Sequence, residues 1–123
     1  MKIYLISPPK LTKSFNSKIF DTITDIIPIE YFQFRPKFKL LKDRLNFVEM
    51  HYESFSRVCK KKKIKLIIND DFEIAEEFTF DGIHLGQNDK SCKAAKEKFG
   101  KEFIVGVSCS SSENLYKKAK SDG

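Results

Sequence analysis

Repeated βα units, and hence an α/β fold with a parallel sheet, are predicted by three features of this sequence. Short runs of apolar, β-branched and aromatic residues alternate with stretches in which apolar residues recur every three or four positions. Most of the short runs end in loop-forming residues, and no linker or low-complexity tract interrupts the series. Strands alternating with helices in this way pair in parallel through right-handed crossovers.

The first strand is expected from Ile3 to Ile6, cut off by Ser7-Pro8-Pro9, and the second from Ile29 to Phe34, ended by Arg35-Pro36. Between them Phe15, Ile19, Ile23, Ile26 and Ile27 define the apolar side of a helix, Asn16, Lys18, Asp21 and Asp25 the polar side, and Pro28 its stop. A longer helix carries the stripe Leu41, Leu45, Val48, Tyr52, Phe55, Val58 and Cys59 and runs into Lys60-Lys61-Lys62-Lys63. Leu66-Ile67-Ile68 is a continuous apolar run, which suits a parallel strand buried on both faces. A short helix from about Phe72 to Phe78 then leads to a strand within Gly82 to Gly86. The next helix, Ser91 to Phe99, is closed by Gly100 in the place of a left-handed cap, and Phe103 to Val107 forms the fifth strand. Ser110 and Glu113 have capping-box spacing and open a last helix through Leu115 and Ala119.

Composition limits the function classes. The 123 residues, 41% hydrophobic and 33% charged, are read as one domain, residues 1–123. No apolar run approaches the ~20 residues that span a bilayer, so no membrane partner is expected. Ser7-Pro8-Pro9 breaks any export-type apolar segment. Cys59, Cys92 and Cys109 are odd in number and contain no CxxC, so neither a disulfide framework nor a zinc site is indicated, and a cytoplasmic location is expected. The net charge of +6 is most concentrated at Lys60 to Lys63. Cations there complement a helix C-terminus, and with no RNA-binding motif or stacking aromatic cluster beside them, no nucleic-acid partner is expected.

Three segments at strand ends carry the chemistry: Gln33-Phe34-Arg35-Pro36-Lys37, Ile68-Asn69-Asp70, and Asp81 through Asp89. Successive parallel strands deliver such residues to one face of a βα fold, and this set of amides, cations and carboxylates suits a magnesium-bound pyrophosphate. Each member also has a plainer reading. Asp70 and Asp89 would cap the helices that follow them. Arg35-Pro36-Lys37 would be a solvated loop, Gln33 and Asn69 strand amides with satisfied partners, and Ser108 a helix-entry hydroxyl. His84, alone on its strand, reads as a packed residue rather than an acid or base, Gln87 as a supporting residue, and Cys109 as a bystander.

In this order and spacing the three segments, joined by Gly106-Val107-Ser108-Cys109-Ser110, resemble the motifs of thiamine-phosphate synthase over essentially the whole chain. The resemblance implies a TIM-barrel fold, of which this chain supplies about five of the eight βα units, a partial barrel. It also implies an activity: joining hydroxymethylpyrimidine pyrophosphate to thiazole phosphate with release of pyrophosphate, in thiamine biosynthesis. That reaction passes through a pyrimidine-stabilised carbocation and asks for leaving-group stabilisation rather than a strong base. By the same resemblance Asp70 and Asp89 are ligands of Mg2+, and Arg35 and Lys37 hold the pyrophosphate. Gln33 binds the pyrimidine, while Asn69 and Ser108 bind pyrimidine or pyrophosphate, and no residue is assigned as a general acid or base. Pro36 stands where the family often has an acidic residue.

Five units do not close a barrel of eight, and Asp122-Gly123 resembles the residues just before the family's sixth strand. Half a site is therefore expected, with no thiazole-phosphate segment, and the activity of the chain alone is an open question. Uncovered sheet edges predict a homo-oligomer. Two alternatives stand beside the synthase: a thiazole tautomerase-like protein, which would need no paired metal carboxylates, and a non-catalytic remnant that binds phosphorylated ligands.

Overall fold

A computed structural model of the chain describes residues 3–8, 11, 15–86 and 92–107. Their elements run β1 (Ile3–Ile6), α1 (Ser17–Ile26), β2 (Ile29–Phe34), α2 (Leu41–Lys62), β3 (Lys65–Asn69), α3 (Phe72–Glu77), β4 (Gly82–Leu85), α4 (Cys92–Phe99) and β5 (Ile104–Val107). The predicted alternation is present: five parallel strands in chain order, with helices between them, the α/β pattern of a partial TIM barrel. The helix expected after Ser110 lies outside the described residues. The chain divides into two compact units, Met1–Leu66 and Ile67–Gly123, with the division inside β3.

In the first unit β1 pairs with β2 in parallel, Tyr4 opposite Tyr31, Leu5 opposite Phe32 and Ile6 opposite Gln33. Alternation along a strand sends these to two faces. Phe32 and Phe34 form the helix-covered face: Phe32 stacks on Phe20 of α1 at 4.2 Å between ring centroids and on Phe55 of α2 at 5.4 Å, and Phe34 meets Phe55 edge-on at 5.2 Å. All four rings are buried. Tyr4, Ile6, Tyr31 and Gln33 share the opposite face.

Helix α1 differs from its predicted orientation. Its N-cap is Asn16, whose Oδ1 accepts from Ile19 N at 3.1 Å, and Ile27 turns extended before Pro28, as a residue preceding proline must. The predicted stripe, however, is largely outside: Ile26 is 76% exposed and Ile19 and Ile27 are exposed too, whereas Phe20 is fully buried. The aromatic contacts with Phe32 and Phe55 set which side of the helix turns inward.

Helix α2 buries Val48, Phe55, Val58 and Cys59 of its predicted stripe and ends, as the lysine run implied, at Lys62. Lys63 takes a left-handed conformation, φ 59°, with Lys63 N donating to Lys60 O and Ile64 N to Cys59 O at 2.8 Å. That is a Schellman ending, completed by the buried pair Ile64 and Cys59. Lys61 pairs with Asp21 and Lys62 with Asp25, so two of the four lysines tie α2 to α1.

In the second unit β3 pairs with β4 and β4 with β5, all parallel. Ile68 and Ile83 are fully buried and Ile67 and Leu85 nearly so, together with Ile74 of α3 and Ala95 of α4. Phe99 links α4 to Phe72 of α3 and, at 4.4 Å, to Phe103 before β5. Gly100 ends α4 with φ 98°, its N–H donating to Lys96 O at 2.8 Å, the left-handed stop the sequence called for. No helix among the described residues is long and apolar enough to cross a membrane.

Candidate functional site

The end of β2 places Gln33 on the face turned away from α1 and α2, at 1% exposure. Among the described residues its side chain has one hydrogen bond, from Nε2 to the Tyr4 hydroxyl at 3.0 Å. The Tyr4 ring stacks on Tyr31, its register partner, at 5.7 Å, which carries the hydroxyl diagonally across to Gln33. Burial pushes the Tyr4 hydroxyl above its usual pKa of 10.0, and the Gln33 N–H partly opposes this. Tyr4 is therefore neutral at physiological pH.

Ser7 secures the next residues. Its N–H donates to Gln33 O at 2.9 Å and its Oγ accepts from Arg35 N at 2.8 Å, so Arg35 leaves the strand in a fixed direction. Arg35 is half-buried, Pro36 buried and Lys37 exposed, so Arg35-Pro36-Lys37 is not an entirely solvated loop. No described carboxylate pairs with the Arg35 guanidinium. A planar guanidinium presents a fork suited to phosphate oxygens.

In the second unit, β3 delivers buried Asn69 and then half-buried Asp70. Asp70 is left-handed at φ 66°, and its N–H donates to His84 O at 2.8 Å. Asn69 Nδ2 donates to Asp70 Oδ2 at 3.0 Å, fixing the carboxylate against the strand end. Few non-glycine residues enter this region, aspartate and asparagine most readily, and such residues gather where a side chain must be aimed. The N-cap position of α3 falls to Asp71, whose side chain makes no cap hydrogen bond.

Asn69, His84 and Gly106 are in register across β3, β4 and β5 and share one face. A Cβ at Gly106 would lie 2.9 Å from His84 Nδ1, so the imidazole occupies space that only glycine leaves open. The structure thus joins Asn69 to Asp70, and Gln33 to Arg35 through Ser7. Asp89, Gln87, Ser108 and Cys109 lie outside the described residues. Tyr4 and Ser7 are the two supporting residues that motif reading missed. The alternation along each strand was visible in the sequence, but the register that brings Tyr4 and Gln33 to one face was not.

The donors at Asp70 are oxygens, the kind hard cations take. No group of three or more His, Cys, Asp or Glu side chains that could hold a metal gathers among the described residues. A carboxylate is the donor type that Mg2+ takes, one or two at a time, with water and phosphate as its other ligands.

Residues 3–123 match the family model described as thiamine monophosphate synthase. A thiamine-phosphate synthase of Pelagibacter ubique (strain HTCC1062) is 36% identical over 125 residues, 98% of this chain and 56% of that protein. One of Lactococcus lactis subsp. lactis (strain IL1403) is 33% identical over 124 residues, 98% of this chain and 57% of that protein. Among solved structures, a thiamine phosphate pyrophosphorylase from Pyrococcus furiosus superposes with a TM-score of 0.77 over 99% of this chain and 56% of that one. Its sequence identity is 19%, so the likeness speaks to the fold. The chain spans about half the length of the curated relatives it matches.

Proposed function

The chain belongs to the thiamine monophosphate synthase family, and from that premise we propose that it provides the pyrimidine-diphosphate half of a thiamine-phosphate synthase, a transferase. The reaction is Mg2+-assisted transfer of hydroxymethylpyrimidine from its pyrophosphate to thiazole phosphate. The bond between the pyrimidine methylene carbon and the pyrophosphate oxygen breaks, with its electron pair leaving on oxygen. The thiazole ring nitrogen then donates its lone pair to that carbon. No proton is lost, so no residue is needed as a base.

The chain's own residues bind and orient. Arg35 and Lys37 hold phosphate oxygens through paired and single hydrogen-bond donors. Gln33, its amide nearly enclosed, sets the pyrimidine ring, and Asn69 and Ser108 add polar contacts to the ring or the phosphates. Asp70 and Asp89 would hold Mg2+, which when bound offsets the charge that builds on the leaving pyrophosphate.

The observation that carries this reading is the left-handed turn at Asp70, where an amide from Asn69 fixes a carboxylate at the end of a parallel strand. A tautomerase-like reaction has no use for a metal carboxylate there. Isothermal titration with hydroxymethylpyrimidine pyrophosphate, with and without Mg2+, tests the reading. Mg2+-dependent binding is expected; binding that ignores Mg2+, or no binding, would refute it.

A further inference from the structure

We propose that Tyr4 is a positioning residue whose hydroxyl holds the Gln33 side-chain amide in place for contact with a pyrimidine. The inference rests on the assignment of Gln33 to the pyrimidine. Gln33 is 1% exposed, and among the described residues its side chain bonds only to the Tyr4 hydroxyl, through Nε2 at 3.0 Å. An amide has two faces of opposite character, two N–H donors on nitrogen and two lone pairs on oxygen. Engaging the nitrogen on Tyr4 leaves Oε1 and the second N–H to meet a ligand. A pyrimidine edge presents a ring nitrogen beside an exocyclic amine, and this pair complements an N–H and a C=O side by side.

Tyr4 is suited to hold the amide. Its ring is located by the stack on Tyr31, independently of Gln33. Its hydroxyl is neutral at physiological pH, so its oxygen accepts from a neutral amide without carrying charge into the site. Gln33 is further anchored at its backbone by Ser7 N, so the amide end is the part of the residue left to be set. Buried polar groups that lose such a partner cost more than the hydrogen bond is worth in water, which ties ligand affinity to this contact.

The test is Tyr4→Phe, which keeps the ring on Tyr31 and removes the hydroxyl. Affinity for hydroxymethylpyrimidine pyrophosphate in the presence of Mg2+ is expected to fall about fivefold, the worth of one hydrogen bond, while affinity for inorganic pyrophosphate stays within about twofold. The Gln33 side-chain NH2 signals, assigned by their loss in Gln33→Ala, are expected to shift in Tyr4→Phe in the absence of ligand. A merely structural role would lower both affinities together. Wild-type binding of the pyrimidine ligand with an unaltered Tyr4→Phe affinity overturns the role of Tyr4 and leaves the functional reading standing. A wild-type protein that binds inorganic pyrophosphate but shows no preference for the pyrimidine compound overturns both.

Discussion

Replacing Asp70 by Asn and by Ala separates a metal carboxylate from a turn residue. The backbone at Asp70 is left-handed, φ 66°, a region in which Asn is well tolerated and Ala is not. Asp70→Asn keeps that tolerance and keeps an oxygen to accept from Asn69 Nδ2, so its stability should match wild type within about 0.5 kcal/mol. Asp70→Ala loses the hydrogen bond, about 1 kcal/mol, and adds roughly 1 kcal/mol of left-handed strain, about 2 kcal/mol together. Mg2+-dependent affinity for pyrophosphate should respond differently. Both variants remove the same charge, and truncating one partner of a charge pair costs about 2–5 kcal/mol, with the lower end apt for a half-buried group. Each variant should therefore bind roughly 30-fold more weakly, although only Ala unfolds earlier in urea. An Asp70→Asn protein that binds Mg2+ and pyrophosphate like wild type would refute the assignment and return Asp70 to the role of a turn residue.

Three further outcomes follow from the packing and titration. Lys63→Gly, at an exposed left-handed helix ending, should stabilise the chain by about 0.5–1 kcal/mol in urea unfolding, and a loss of stability would contradict the strain assigned there. Phe32→Ala, which removes a fully buried ring stacked on Phe20 and Phe55, should cost about 3–5 kcal/mol; a cost below ~1.5 kcal/mol would mean that the aromatic cluster is not the centre of the first unit. Because the Tyr4 pKa is raised on folding, the folded state keeps its proton longer, so the contribution of Tyr4 to stability is complete below about pH 10 and declines as pH climbs toward the folded value. The stability difference between wild type and Tyr4→Phe should thus be level from pH 7 to about 10 and fall above it; a difference that grows above pH 10 would reverse the sign.

The order of strands and helices was legible because period and punctuation agreed. Pro28, the lysines before Ile64, and Gly100 each end a helix for a local reason that a sequence displays directly. The inward side of α1 was less legible. Both the isoleucine stripe and Phe20 are apolar, and only the position of Phe32 and Phe55 decides which is covered. At the strand end Asn69-Asp70-Asp71, three consecutive residues are all good helix caps, and that Asp71 takes the N-cap position, after a turn with φ 66° at Asp70, is a property of the turn. Gln33, Arg35 and Asn69 stood out as members of strand-end segments whose order and spacing resemble the family's motifs. The Tyr4 and Ser7 contacts that orient them depend on the pairing of β1 with β2, which no local pattern encodes.

The most direct measurement substitutes Mn2+ for Mg2+ and follows paramagnetic broadening of backbone and side-chain amide NMR signals in the presence of inorganic pyrophosphate. The proposed function predicts that the Asp70 backbone and Asn69 side-chain signals are among the first to disappear, and that they persist in Asp70→Asn. Sharp Asn69 and Asp70 signals at a Mn2+ concentration that broadens residues elsewhere would contradict it.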